Sequence, residues 1–160
     1  MAEMTNLLVK DDTTGTRIEL TFVPVTDTPK PLWRAQLAGV PFEGQPTIEL
    51  SEEVLKSGDR KTTMMLDVPV METLGTAGTS AGYQAAPAVA YHEKTFYTRI
   101  SSKRSTISDR ANALAIGVGL LQGATSTTAT GTLDQASAAD AFKSSAAPMP
   151  VAFIAGSFPF

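Results

Sequence analysis

Alternation with a period of two dominates the first hundred residues. Arg17-Ile18-Glu19-Leu20-Thr21-Phe22 sets Ile18, Leu20 and Phe22 on one side and polar groups on the other, the pattern of a strand with one buried face. Leu7-Leu8-Val9 runs into the turn cluster Asp11-Asp12-Thr13-Thr14-Gly15, so residues 1–23 predict a β-hairpin. Pro24, Pro29 and Pro31 then break the chain, and Leu32 to Leu37 reads as a short strand. Thr47-Ile48-Glu49-Leu50-Ser51 alternates again, and Lys56-Ser57-Gly58-Asp59 has the turn chemistry that sends the chain back. The return strand puts Met64, Leu66 and Val68 on one face and Thr63, Met65 and Asp67 on the other, with Pro69 marking its exit. Tyr91 to Ile100 forms the last strand.

Periodicity then changes to that of a helix. Ile107, Ala111, Leu114, Val118 and Leu121 make one apolar stripe. Thr106 with Asp109 three residues on is a capping-box pattern, Ser105 is a competing cap, and Gly123 is a stop. Gly117 and Gly119 weaken the helix intrinsically, so it depends on packing against a neighbour. Residues 124–131 are low-complexity Ala, Thr and Ser, and residues 132–142 carry a weaker second helical pattern. Pro148 to Phe160 is apolar and free of charge, so it needs a surface, either on its own domain or on a partner. Residues 73–90 also carry no charge. A loop of this length between strands is usually functional: a contact loop in an assembling subunit, a lid or connector in a monomer.

The 160 residues fit one domain, 42% hydrophobic and 18% charged, the low charge density of an interface-rich subunit or of an ordinary Ala/Thr/Ser-rich domain. With no cysteine, disulfides, thiolate metal sites and cysteine nucleophiles are excluded. The first residues lack the basic and apolar regions of a secretory signal, and no apolar run reaches the ~18 residues of a membrane span. The single histidine, His92, lies in a strand, and no nucleophile elbow, P-loop or metal-ligand spacing accompanies it. Glu52-Glu53 and Asp11-Asp12 are sequence neighbours and point to opposite sides of a strand, which unsuits them as acid–base couples. No enzyme, cofactor or metal is expected. A net charge of −3 argues against whole-surface binding of nucleic acid, which leaves a local patch: Arg60, Lys61, Thr63, Tyr91 and Arg99 supply cations, a hydroxyl and a ring for a single-stranded RNA site. A solvated sheet face with one exposed tyrosine explains the same residues.

Two blocks carry a family resemblance. Asp59-Arg60-Lys61 with Thr62 to Pro69, and Ala90-Tyr91, Thr95-Phe96, Ser105-Thr106, Asp109-Arg110-Ala111 and Leu120-Leu121, resemble in order and spacing the coat proteins of single-stranded RNA bacteriophages, the leviviruses. The resemblance covers roughly two thirds of the chain. It implies one α+β domain over 1–160: an N-terminal β-hairpin (1–23), a five-stranded antiparallel sheet (31–101, with an inter-strand loop at 73–87) and one or two C-terminal helices (105–160) packing on the partner subunit's sheet in an intertwined dimer. It further implies an obligate homodimer and an icosahedral shell around genomic RNA, found in the virion and assembled in the bacterial host's cytoplasm, with no membrane partner. Dimer packing would fall to Met64, Leu66, Val68 and Phe96, with Ile100, beneath Leu114, Val118 and Leu121 of the helix. The loop residues Thr73, Leu74, Gly75, Tyr83 and Pro87 would meet around symmetry axes.

The family's inner sheet surface also binds an RNA hairpin and represses translation. The matching positions are Ser51, Lys61, Thr63, Tyr91 and Glu93, with Tyr91 as the base-stacking residue. Glu49 and Glu53 depart from the family's polar or basic groups, and Met65 replaces its lysine; carboxylates facing phosphate are repulsive. Shell formation therefore carries over better than tight hairpin recognition. The chain is also ~30 residues longer than the family pattern, mainly around 124–147. The competing reading is a small β-rich binding module, monomeric or dimeric, without capsid assembly.

Overall fold

The computed structural model describes residues 3–13, 18–72, 88–127 and 142–156. Six strands follow one another: β1 (Leu7–Lys10), β2 (Glu19–Thr26), β3 (Leu32–Ala35), β4 (Thr47–Val54), β5 (Arg60–Met71) and β6 (Val89–Ser101). Helices α1 (Ile107–Leu121) and α2 (Pro148–Ala155) come after them. The strands lie in one sheet in chain order, and every pairing from β2 to β6 is antiparallel. The N-terminal hairpin is thus not an appendage to a five-stranded sheet: its strands are the first two of six. Pro24 does not break β2. It pairs across from Trp33, and the register slips between Pro24 and Thr26, the local irregularity that lets a residue without an N–H sit in a ladder. Pro69 is accommodated differently. The β4–β5 ladder ends at Thr47↔Asp67, so beyond that point β5 pairs only with β6.

The chain divides into two compact units, Met1–Leu8 with Leu20–Lys103, and Val9–Glu19 with Arg104–Phe160. In the first, Phe22, Trp33 and Ala35 are buried, and Met4, Leu7, Leu20, Leu37, Ile48, Leu50 and Leu66 pack around them. The Trp33 indole Nε1–H donates to the Thr5 carbonyl at 2.9 Å, satisfying the one polar atom that its burial would strand. The β4–β5 turn closes with Gly58 N–H donating to the Leu55 carbonyl at 2.8 Å, and Gly58 takes φ +83°, a conformation side chains resist. Next to it the Asp59 carboxylate accepts from Ser57 Oγ at 2.9 Å and from the Lys103 amide at 3.1 Å, tying the turn to the end of β6. The Ser57 hydroxyl, and then the Lys103 amide, hold this carboxyl below its ordinary pKa.

In the second unit the Asp12 carboxylate accepts from the Phe142 amide at 2.8 Å and the Lys143 amide at 3.2 Å, and Lys143 Nζ donates to the Asp12 carbonyl at 2.8 Å. The N-terminal turn therefore caps the 3-10 turn Phe142–Ser144 that leads into α2. The apolar run after Pro148 is helical up to Ala155 and stops at Gly156. α1 spans the predicted residues and starts on the predicted cap: Asp109 N–H donates to Thr106 Oγ1 at 3.2 Å, and Thr106 N–H to Asp109 Oδ2 at 2.9 Å. Ser105 instead receives Arg110 through its carbonyl, at 2.8 Å. Gly123, at φ +91°, follows the last turn. None of the α1 residues is buried. The weaker helical pattern at 132–142 lies outside the described residues up to Phe142.

Three outcomes are expected. Trp33→Ala should cost about 3–5 kcal/mol of unfolding free energy in urea, since it empties the centre of the first unit. Thr106→Ala should cost about 1 kcal/mol. The Thr106 amide and then its hydroxyl hold the Asp109 carboxyl below its usual pKa. The cap's contribution is therefore complete above the ordinary carboxylate range and is lost as pH falls through the depressed value. Asp109→Asn should flatten the acid limb of a stability-versus-pH curve; an unchanged limb would contradict the capping assignment.

Candidate nucleic-acid interface

Residues directly opposed in an antiparallel ladder project from the same side, and neighbours along a strand project from opposite sides. The register therefore sorts every side chain of β3 to β6. One face carries the rows Trp33–Ile48–Leu66–Thr95 and Leu50–Met64–Tyr97. The other carries Arg34–Thr47–Asp67–Lys94, Leu32–Glu49–Met65–Phe96, Ser51–Thr63–Thr98 and Glu53–Lys61–Ile100. The first is the apolar face that holds the core, and the second is mainly polar.

Three of the five expected RNA-contacting residues come together on the polar face. Ser51 stands opposite Thr63, Thr63 Oγ1 lies 3.1 Å from Thr98 Oγ1, and Lys61 stands one row away opposite Glu53. Tyr91 and Glu93 do not join them. They pair with Val70 and Val68 and so lie on the apolar face, which removes Tyr91 from its expected place beside Lys61 and Thr63. The reverse correction applies to Phe96 and Ile100. Expected on the apolar face with Met64, Leu66 and Val68, they stand opposite Met65 and Lys61 on the polar one, and Thr95 and Tyr97 take the places beside Leu66 and Met64. The cause is parity. Sequence fixes which residues of a strand share a face, but which face that is depends on the register with the next strand. The adjacent aromatics Phe96 and Tyr97 suit either phase. Met64, Leu66 and Val68 do share a face as expected, and Leu114 and Val118 are exposed on α1. The loop positions Thr73, Leu74, Gly75, Tyr83 and Pro87 lie outside the described residues.

The lysines of the polar face each have a carboxylate beside them. Lys30 Nζ lies 2.7 Å from Glu49, Lys61 Nζ 3.8 Å from Glu53, and Lys94 Nζ 3.4 Å from Asp67. Asp67 also faces His92 Nδ1 at 2.8 Å and is only 15% exposed. The Arg34 guanidinium rests over the Phe42 ring, 3.8 Å from its centroid. The Asp67–His92–Lys94 cluster escaped the sequence reading, although Asp67 alternates with Met65 and Thr63 and so shows the right phase within β5. Among the described residues no group of three or more His, Asp or Glu side chains is arranged to hold a metal ion. The face can present hydroxyls, exposed rings and balanced ion pairs to a large ligand, and it has no constellation for covalent or acid–base chemistry.

A profile of the levivirus coat protein family matches residues 2–139. The chain belongs to that family. It is therefore a structural subunit of a virion, not an enzyme. Among solved structures it is similar to the subunit in a virus-like particle of bacteriophage EMS014, with 39% identity and a TM-score of 0.87 over 99% of this chain and 100% of that one. The subunit of a virus-like particle of bacteriophage NT-214, 18% identical with a TM-score of 0.68, covers 99% of this chain and is fully covered itself. The capsid protein of bacteriophage GA, 18% identical, reaches 0.57 over 77% of this chain and 88% of its own. These last two likenesses show the shared fold. A comparison with curated protein sequences finds no match.

The coat protein's polar face is open to a direct electrostatic check. Asp67→Asn leaves Lys94 without its carboxylate. Binding of a single-stranded RNA oligonucleotide, followed by fluorescence anisotropy in a series of KCl concentrations, should tighten, and its log–log salt slope should steepen by about 0.7. A slope unchanged by the substitution would show that the Lys94–Asp67 pair does not govern this surface.

Proposed function

We propose that this coat protein associates as an intertwined homodimer and that such dimers close into a shell around single-stranded genomic RNA. The observation that carries the reading is the state of β6. It is a strand of thirteen residues at the end of the sheet, with β5 on one side and, among the described residues, no strand on the other. A long open edge is a template for another strand, and a soluble protein that keeps one unblunted usually pairs it. An identical β6 from a second copy would continue the ladder across a two-fold axis.

The apolar surplus supports the same conclusion. α1 offers Leu114, Ile116, Val118 and Leu120 to solvent, each at least 40% exposed, and Met64 on the apolar sheet face is exposed as well. Leu114 and Val118 share one side of the helix and Ile116 and Leu120 the other; laying the Leu114–Val118 side on the Met64–Leu66–Val68 strip of a second copy would remove that side and the strip from water. The 39% identity to a subunit of the EMS014 particle, over essentially the full chain, supports the closing of dimers into shells. With helices on the apolar side, the polar side is left for the enclosed RNA, and Ser51, Lys61 and Thr63 are its contact residues. Hairpin binding with translational repression would use the same face. Its compensated lysines favour general RNA contact over a tight, phosphate-driven operator site.

Size-exclusion chromatography with light scattering, followed by negative-stain microscopy, tests the assembly. Uniform round particles of megadalton mass are expected, and a species of one or two chains would overturn shell formation. Leu114→Asp should leave the far-UV circular dichroism unchanged, because the side chain is already exposed in the single chain, yet abolish both dimer and particle. Particles from that variant would contradict the packing of α1 on a partner.

A further inference from the structure

We infer that Phe96 is the base-stacking residue of the coat protein's RNA-facing surface, and that this surface holds single-stranded RNA through bases and hydroxyls with little neutralisation of phosphate. The inference rests on the polar face being the RNA side. Three observations support it. Phe96 is 62% exposed at the middle of β6, on the polar face, with Met65 opposite it. One row away, Ser51, Thr63 and Thr98 line up hydroxyls across three adjacent strands, the Thr63 and Thr98 oxygens 3.1 Å apart. The three lysines of this face each lie within 4 Å of one of its own carboxylates.

These features favour one class of ligand. Phosphate binding draws its strength from cations that exchange counterions for phosphates; here each lysine already faces a carboxylate, and Arg34, seated over the Phe42 ring, is the one further cation in these rows. The chain's net charge of −3 adds no general attraction. An open aromatic ring, by contrast, stacks on any base, and hydroxyls beside it can donate to or accept from base edges and the 2′-OH. The Met65 side chain widens the apolar platform under such a base. Tyr91, the expected stacking residue, lies on the opposite face and cannot share a base with Lys61 and Thr63.

The test uses the full chain, kept below the concentration at which particles form, with labelled single-stranded RNA 12-mers and an abasic ribose-phosphate 12-mer as probes. The base-bearing RNA should bind with a log–log salt slope shallower than about −1.4, equivalent to two phosphates. The abasic chain should bind far more weakly. Phe96→Ala should lower RNA affinity roughly 5- to 150-fold per stacked base, and Phe96→Tyr, which keeps the ring, should restore it. Equal binding of the abasic chain, or a slope steeper than about −2.8, overturns the inference while leaving the RNA side of the shell in place. Loss of dimers in Phe96→Ala with full RNA affinity in the remaining chains also overturns it, and makes Phe96 a contact between copies. If Phe96→Ala does not fold, the abasic comparison on the unmodified chain decides alone. Absence of any RNA binding by the unmodified chain overturns both this inference and the RNA part of the function proposed above.

Discussion

A one-residue slip between antiparallel strands turns every side chain of the slipped strand to the other side of the sheet. The β5–β6 ladder, running from Arg60↔Ser101 to Val70↔Tyr91 before its single irregularity, is the constraint on which the molecule's two surfaces depend. It keeps Leu66 on the core, with Met64 exposed on the same face, and sets Lys94 against Asp67 and Thr98 against Thr63. Each of these pairs makes sense only in that register. Shifted by one, Lys94 would enter the apolar face and Asp67 would lose its cation. Side-chain pairing and backbone pairing therefore reinforce each other, and a strand as long as β6 is held in a single phase although one of its edges is open.

The second constraint is a shortage of interior. Among the described residues the buried apolar side chains, prolines aside, are Phe22, Trp33, Ala35 and Ala147, which is little for a chain of this length. The protein spends its apolar residues on surfaces: α1, the strip of β5 and the charge-free helix α2, where Phe153 and Ile154 stand exposed. An independent monomer built this way would be prone to aggregate, whereas a coat subunit has identical neighbours to cover what it exposes. In the dimer proposed above, covering these surfaces would make stability a function of subunit concentration.

What could be read from the residues follows the range of the interactions. The α1 helix and its Thr106–Asp109 cap were legible because both depend on contacts within four positions of the chain. The alternation in β4 and β5 was legible for the same reason, and so was the turn at Gly58. The face carried by β6 was not, because it depends on partners some thirty residues away and Phe96 and Tyr97 suit both choices. Continuation of β2 through Pro24 was hidden as well, since only the pairing with Trp33 shows that the ladder tolerates it. The Asp67–His92–Lys94 cluster was half visible: the phase of Asp67 within β5 was clear, and its juxtaposition with His92 and Lys94 was not. Family likeness supplied the shell, which no local pattern encodes, and grouped Tyr91 with Lys61 and Thr63, from which the ladder separates it.

Asp12 links two distant stretches of its unit. Its carboxylate grips the amides of Phe142 and Lys143, partners 130 and 131 positions further along the chain. Closing so long a loop costs chain entropy that rises only as the logarithm of its length. A few residues added or removed between the two ends would therefore barely weaken the clasp, which leaves the intervening sequence free to vary without unseating α2.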